Sequence, residues 1–375
     1  MEISRLKLGL IGSEEAEEII MEDPGRMAVH LLSYGAAIWK IFLPDSRGCM
    51  ENVVLGLAGW RDYIDNPLYA GAVLCPNAGR IRQARLPLDS YTAALSKNDG
   101  EHNLHGGSAG ASHRIWTVAG AVCEREFCSV TLSVHLPDGT DGFPGNRDIQ
   151  ICYTLRNSMV LNLDFRGTTD EDTYFNLSNH AYFNMSGDFA RSGLEQELEV
   201  RASSYIANDG EHLPVSMEQC AGTPFDFSHP VPILRNMEAY PGDRQLLNAK
   251  GYNNGFMIEA NPQGNNGQEG AAVLKKAASL ADTASGRKLT LFTDAPCLVV
   301  YSGGYIGNSW RLWEPAPPEN PVRSTEASSY SSESCAIALE PQDVPDACHF
   351  RPDGLHITGA DEVYERRIQM QFGIV

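Results

Sequence analysis

The chain has 375 residues, a formal net charge of -19 and 42% hydrophobic residues. That is enough apolar material for a large core, and the length is within reach of one large all-β domain. So acidic a surface repels phosphate backbones and anionic lipids, which argues against nucleic acid or membrane as the main partner and leaves neutral small molecules open. No run approaches the roughly 18 apolar residues of a membrane span. The start, Met1-Glu-Ile-Ser-Arg-Leu-Lys-Leu8, lacks the basic-then-apolar pattern of a signal peptide. The nine cysteines are scattered, with Cys123 and Cys128 the only close pair and no zinc-type spacing. They read as reduced thiols of a cytoplasmic protein.

In chain order, a short helical turn is expected over 60–64. Strict alternation then sets in. Val130, Leu132, Val134 and Leu136 alternate with Thr131, Ser133 and His135. The turn cluster Asp138-Gly-Thr-Asp-Gly142 separates them from Ile149, Ile151, Tyr153 and Leu155, which alternate with Gln150, Cys152 and Thr154. After Asn157-Ser158 come Leu161, Leu163 and Phe165, alternating with Asn162, Asp164 and Arg166. A period of two places one face in a core and the other toward water, the pattern of antiparallel strands. Strands at this spacing predict a sandwich or barrel. Residues 261–270, rich in Asn, Gln and Gly, read as an irregular surface insertion, and 271–281 as the best helix. Ser302-Gly-Gly304 is a further turn, and 313–333, with Pro, Ser and Glu, a second insertion. Strand patterns resume after each, so the simplest organisation is a single domain spanning 1–375 with these insertions.

Three distant segments carry chemistry. Asn176-Leu-Ser-Asn179-His180-Ala-Tyr182-Phe183-Asn184 sets a histidine among amides and aromatics, almost without charge. An imidazole titrating near neutrality suits a general acid or base. Asn179 and Asn184 are placed to orient it, and Tyr182 and Phe183 to face a sugar ring. Asn103-Leu-His105-Gly106-Gly107 offers a second imidazole beside glycines that admit close backbone approach. His102 completes a His-x-x-His spacing, but no third ligand is visible, so no metal is expected. Glu340 closes the apolar run Ala336-Ile-Ala-Leu339, where a buried carboxylate needs a partner. Arg80, after Asn77-Ala-Gly79, brings a planar fork of donors. Each alone also reads blandly: a sheet histidine, a glycine turn, a strand-end acid, a surface arginine. Together they supply an acid, a base and a polar-aromatic surround for proton transfer on a polyhydroxylated substrate.

The segments, taken in order, resemble the aldose 1-epimerase (galactose mutarotase) family. The resemblance runs from Tyr34-Gly-Ala-Ala37 through Asn52-Val-Val-Leu-Gly56, Asn66-Pro67 and Arg80-Ile81 to Leu104-His-Gly-Gly107 with Trp116. It continues through Asp138-Gly-x-x-Gly-Phe-Pro-Gly145, Asn179-His-x-Tyr-Phe-Asn184 and Thr223-Pro-Phe-Asp-Phe227. Ser285-Gly-Arg287, Tyr301, Glu340-x-Gln342 and Pro345-Asp-Ala347 complete it. The resemblance implies a large antiparallel two-sheet β-sandwich, the mutarotase-like supersandwich, with few short helices. It implies interconversion of the α and β anomers of a free aldose, without cofactor or metal, by a monomer or homodimer. Carried over by position, Glu340 is the base and His180 the acid, while Arg80, His105 and Asn253 bind the sugar. Three positions depart from the family: Asn253 stands for an Asp, Gly79 for the Asn before the arginine, and His349 for an Asn. Two alternatives remain at this stage: a non-catalytic sugar-binding protein on the same fold, and a relative acting on hexose 6-phosphates. The latter needs a phosphate-binding cluster of Lys or Arg, for which only Arg80, Arg82 and Arg85 lie close together.

Overall fold

The computed structural model describes residues 1–259, 274–313 and 331–375. The expected insertion at 261–270 and most of that at 313–333 lie outside them. The alternating segments form the centre of a nine-stranded antiparallel sheet, ordered Thr117–Cys123, Phe127–Leu136, Arg147–Arg156, Val160–Thr169, Tyr364–Ile374, Arg287–Thr293, Lys275–Ala281, Glu197–Val200 and Val231–Pro232. Along Arg147–Arg156 the residues that pair in phase, Ile149, Ile151, Tyr153 and Leu155, are buried, while Asp148 and Gln150 are exposed. A six-stranded sheet runs Tyr182–Phe183, Ile337–Gln342, Cys297–Tyr301, Asn253–Ile258, Ala202–Asn208 and Pro214–Gln219. An N-terminal meander of five strands, Glu2–Ile11 to Met50–Asn52, adds a third sheet. Ile151 and Leu163 of the first sheet, Leu298 and Leu339 of the second and Val29 and Ile41 of the third share one hydrophobic cluster. The expected all-β sandwich is therefore present, with the meander as an extra layer-forming element.

Two local expectations are corrected. The helix over 271–281 is instead a strand, Lys275–Ala281, paired with Glu197–Val200 and Arg287–Thr293. Residues 277–281 are all buried. A strand covered on both faces shows no polar alternation, and its alanines favour a helix until cross-strand partners such as Leu280 and Leu289 override them. Cys123 and Cys128 are not free thiols. They face each other across an antiparallel hairpin, with Cα atoms 4.1 Å apart, and form a disulfide. The other seven cysteines are unpaired. The short turn Trp60–Tyr63 forms where expected. The helices Ile233–Ala239, Arg244–Ala249 and Ala347–Phe350 carried no sequence signal, although Asp243 caps the second by accepting from Gln245 and Leu246 N–H. Among the described residues, no helix is long and apolar enough to cross a membrane.

The six-stranded sheet positions the site by its period of two. Ile337 and Leu339, Leu298 and Val300, and Asn254 and Phe256 turn one way, mostly into the common core. Their strand neighbours Glu340 and Gln342, Val299 and Tyr301, and Asn253 and Gly255 turn the other way and line one cavity.

Candidate active site

The cavity has a volume of about 420 Å³, within the usual range for a small-molecule site. All five residues singled out from sequence, Glu340, His180, His105, Arg80 and Asn253, line it. Glu340 and His180 sit at its buried floor, 3% and 5% exposed, with His180 Nε2 3.6 Å from Glu340 Oε1.

The amides around His180 act on the backbone. Asn179 donates to Gly71 O (2.7 Å) and accepts from Ala181 N–H (3.0 Å). His180 N–H donates to Ala72 O, and its carbonyl accepts from Gly71 N–H, each at 2.9 Å. Asn176 donates to Ala78 O and accepts from Asp343 N–H, joining this segment to the loop that follows Glu340. Asn184, by contrast, is tied to Cys335 O and does not reach the imidazole. Tyr182 stacks on the His180 ring with centroids 4.7 Å apart and donates its hydroxyl hydrogen to Leu68 O. Phe183 points into the core, so only Tyr182 meets the expectation of an aromatic cavity wall.

His105 reaches the floor from the opposite side, its ring 5.3 Å from that of His180. Gly79 N–H donates to His105 Nδ1 (3.1 Å), and His105 N–H donates to Gly79 O (3.0 Å). Because Nδ1 is an acceptor there, the neutral ring carries its hydrogen on Nε2. The following Gly106 has φ +83°, and a Cβ there would lie 2.5 Å from Cys75 O, so only glycine fits. His102 is turned away, accepting from Gln83 N–H at Nδ1. The His-x-x-His pair therefore does not converge. Arg80 pairs with Leu104 across a two-residue ladder and donates from Nε to Asp99 Oδ2 (2.7 Å). Asn253 is half-buried, its carbonyl accepting from Asn208 Nδ2 (2.8 Å).

Burial sets the protonation states. It raises the Glu340 carboxyl to about 8, against the pull of the Arg80 charge. It lowers His180 to about 4, and it pushes His105 well down, helped by the neighbouring Arg80 charge. At neutral pH both imidazoles are uncharged and Glu340 holds a proton. His105, His180 and Glu340 offer ligand atoms within 4.8 Å of one another, close enough to hold a metal ion. The hydrogen on His105 Nε2 and the nearby guanidinium make the cavity a poor fit for a cation and a good one for hydroxyl oxygens. Asp346, Cys348 and His349 form a second such group. Asp346 there already accepts from Arg82 N–H, the Arg82 guanidinium and His349.

Several further residues line the cavity without a chemical signal in the sequence: Tyr69, Asp99, His212, Tyr305 and Gln342. Gln342 was detectable, since it stands two residues from Glu340 on one strand and so on the same face. The others lie on turns, where sequence has no such period.

The family model described as aldose 1-epimerase matches residues 17–371. The aldose 1-epimerase of Haemophilus influenzae is 31% identical over 330 residues, 88% of this chain and 86% of that protein. The aldose 1-epimerase of Escherichia coli K12 is 29% identical over 322 residues, 86% of this chain and 84% of its own length. Bovine galactose mutarotase is 26% identical over 331 residues, covering 87% and 86%. Among solved structures, galactose 1-epimerase from Lactobacillus acidophilus aligns with a TM-score of 0.79 at 26% identity, over 100% of this chain and 99% of that one.

Proposed function

The chain belongs to the aldose 1-epimerase family, an enzyme that interconverts the α and β anomers of an aldose, and from that premise we propose that Glu340 and His180 carry the proton transfers. The observation behind this is their convergence, 3.6 Å apart, on the buried floor of a sugar-sized cavity. Anomer exchange removes a proton from the O1 hydroxyl and adds one to the adjacent ring oxygen. The ring opens, the C1–C2 bond rotates, and closure from the other face reverses both transfers. Acid and base must therefore flank one ring edge, and each must be able to take back what it gave.

The resting pair holds one proton, on Glu340. Passing it to His180 creates the working form, with a carboxylate to accept the O1 proton and an imidazolium to protonate the ring oxygen. Neither form changes the net charge of the pair, which suits a neutral substrate in a dry cavity. His105 Nε2–H and the Arg80 guanidinium donate to sugar hydroxyls, and Asn253 adds an uncharged amide. Holding the sugar so that both transfers occur together supplies the entropic part of the acceleration.

A neutral aldose is favoured over a hexose phosphate. Of the basic group legible in the sequence, Arg82 is held by Asp346 and Arg85 is exposed outside the cavity lining, which leaves Arg80 alone on the wall with its charge offset by Asp99, enough to donate to hydroxyls but no cluster for a phosphate. Polarimetry on freshly dissolved α-galactose and α-glucose is the test. The protein accelerates the decay of rotation, and Glu340→Gln and His180→Asn each slow it by about 10²–10⁴-fold. A sugar-binding protein without activity leaves the decay at its spontaneous rate.

A further inference from the structure

We propose that Asp99 is a positioning residue of this site: its carboxylate aims the Arg80 guanidinium into the sugar cavity and shields Glu340 from the full Arg80 charge. The inference rests on the acid–base reading above. Asp99 and Arg80 line the same cavity and meet through one contact, Nε to Oδ2 at 2.7 Å. A guanidinium gripped at Nε keeps both terminal nitrogens for hydroxyl oxygens. An ungripped arginine spreads over many rotamers and must be ordered by the sugar itself.

The loop that carries Asp99 is held in place from behind. The Asn98 side chain accepts from Leu104 N–H (2.8 Å), and donates to Leu104 O (2.9 Å) and to the Tyr69 hydroxyl (3.3 Å). Asp99 itself bridges His102, whose N–H donates to Asp99 O (2.9 Å). Leu104 is also the residue opposite Arg80 in the ladder. The loop and the arginine are thus fixed to the same strand residue, Leu104. A pair this exposed, 20% and 37% for the two side chains, adds little to stability. Its place on the cavity wall points to a role in binding.

The electrostatic role follows from what surrounds Glu340. The groups facing it are His180 and Tyr182 from the chain around 178–183, His105 after the Asn103–Leu104 strand, Tyr301 from the adjacent strand, and Arg80. Asp346, also on the cavity wall, is engaged by Arg82. The two imidazoles and two phenols are uncharged at neutral pH, which leaves Arg80, among the described residues, as the charge that acts on the Glu340 proton. Asp99 sits on that charge.

The test is Asp99→Asn, with Asp99→Glu as the conservative control. Asp99→Asn is expected to raise KM for galactose about tenfold while lowering kcat less than about threefold. It is also expected to move the alkaline limb of kcat/KM to lower pH, because the unshielded guanidinium draws the proton off Glu340. Asp99→Glu restores both. In an Arg80→Ala background Asp99→Asn adds nothing. The Glu340 titration is also read without turnover, from the carboxyl band in infrared difference spectra against Glu340→Gln, and its midpoint falls in Asp99→Asn. Unchanged KM with an unmoved midpoint overturns the proposal. So does an equal loss in both Arg80 backgrounds. A wild-type protein that fails to accelerate mutarotation defeats the acid–base reading instead, and the infrared midpoint still decides whether Asp99 shields Glu340.

Discussion

Burial of the Glu340 carboxyl has a cost to folding that pH exposes. Its value is raised from 4.5 to about 8, so between those limits the folded chain keeps a proton that the unfolded chain has released. Stability from this group is fully present below 4.5 and is lost as pH rises toward 8. The slope is about 1.4 kcal/mol per pH unit, or about 5 kcal/mol over the whole interval. His180 has the opposite sign. Lowered from 6.5 to about 4, it contributes stability above 6.5 that is lost as pH falls toward 4. Between pH 6.5 and 8, Glu340 is therefore the member of the pair that tilts the curve. Glu340→Gln replaces the protonated acid by a neutral side chain of the same shape and removes the tilt. On raising pH from 6.5 to 8, the variant is expected to gain about 2 kcal/mol on the wild type. For a chain of this size that is about 2–3 °C in Tm. Parallel thermal or urea denaturation of the two proteins across this range measures it, with all other titrations cancelling in the difference. A gap that stays constant with pH refutes the claim that the native state holds Glu340 protonated.

Two further outcomes are expected. Asn253→Asp puts a charged acceptor on the cavity wall, and it should change the relative kcat/KM for galactose, glucose and xylose by about tenfold while leaving kcat nearly unaltered; identical relative rates across the three sugars contradict a role for Asn253 in sugar choice. Gly106→Ala forces a Cβ to within 2.5 Å of Cys75 O at a φ of +83°, so it should destabilise the fold by about 2 kcal/mol or more and displace His105. A variant with wild-type Tm and KM removes that reading of the glycine.

What could be read from the sequence follows from what a period of two can show. The strands around Ile151 and Leu163 each have one wet face, and their alternation was plain. Lys275–Ala281 is buried along most of its length, so its alanines suggested a helix. Ile337–Gln342 is likewise buried throughout, and Glu340 stood out there only because a carboxylate is so costly in such a place. The positions of His105, His180 and Glu340 were legible as motifs. Their protonation was not, because it depends on burial created by three separate segments. The Asn179 and Asn184 amides looked equivalent beside His180, but hydrogen bonding sends one to Gly71 and the other to Cys335. Asp99 gave no signal, since its meaning comes from an arginine 19 residues away, on a strand its own turn does not belong to. The pairing of Cys123 with Cys128 needed the hairpin register that sets them face to face.

The pH dependence of kcat/KM for anomer exchange, measured on the free aldose by polarimetry or NMR, bears most directly on the shared proton. The one-proton pair gains a second proton only near the His180 value of about 4 and loses its own near the Glu340 value of about 8. These are properties of the pair as a whole. The expected profile is a plateau across that interval, falling on both sides. A profile that instead rises through pH 6–7, as an ordinary exposed histidine would give, contradicts a single proton held between Glu340 and His180.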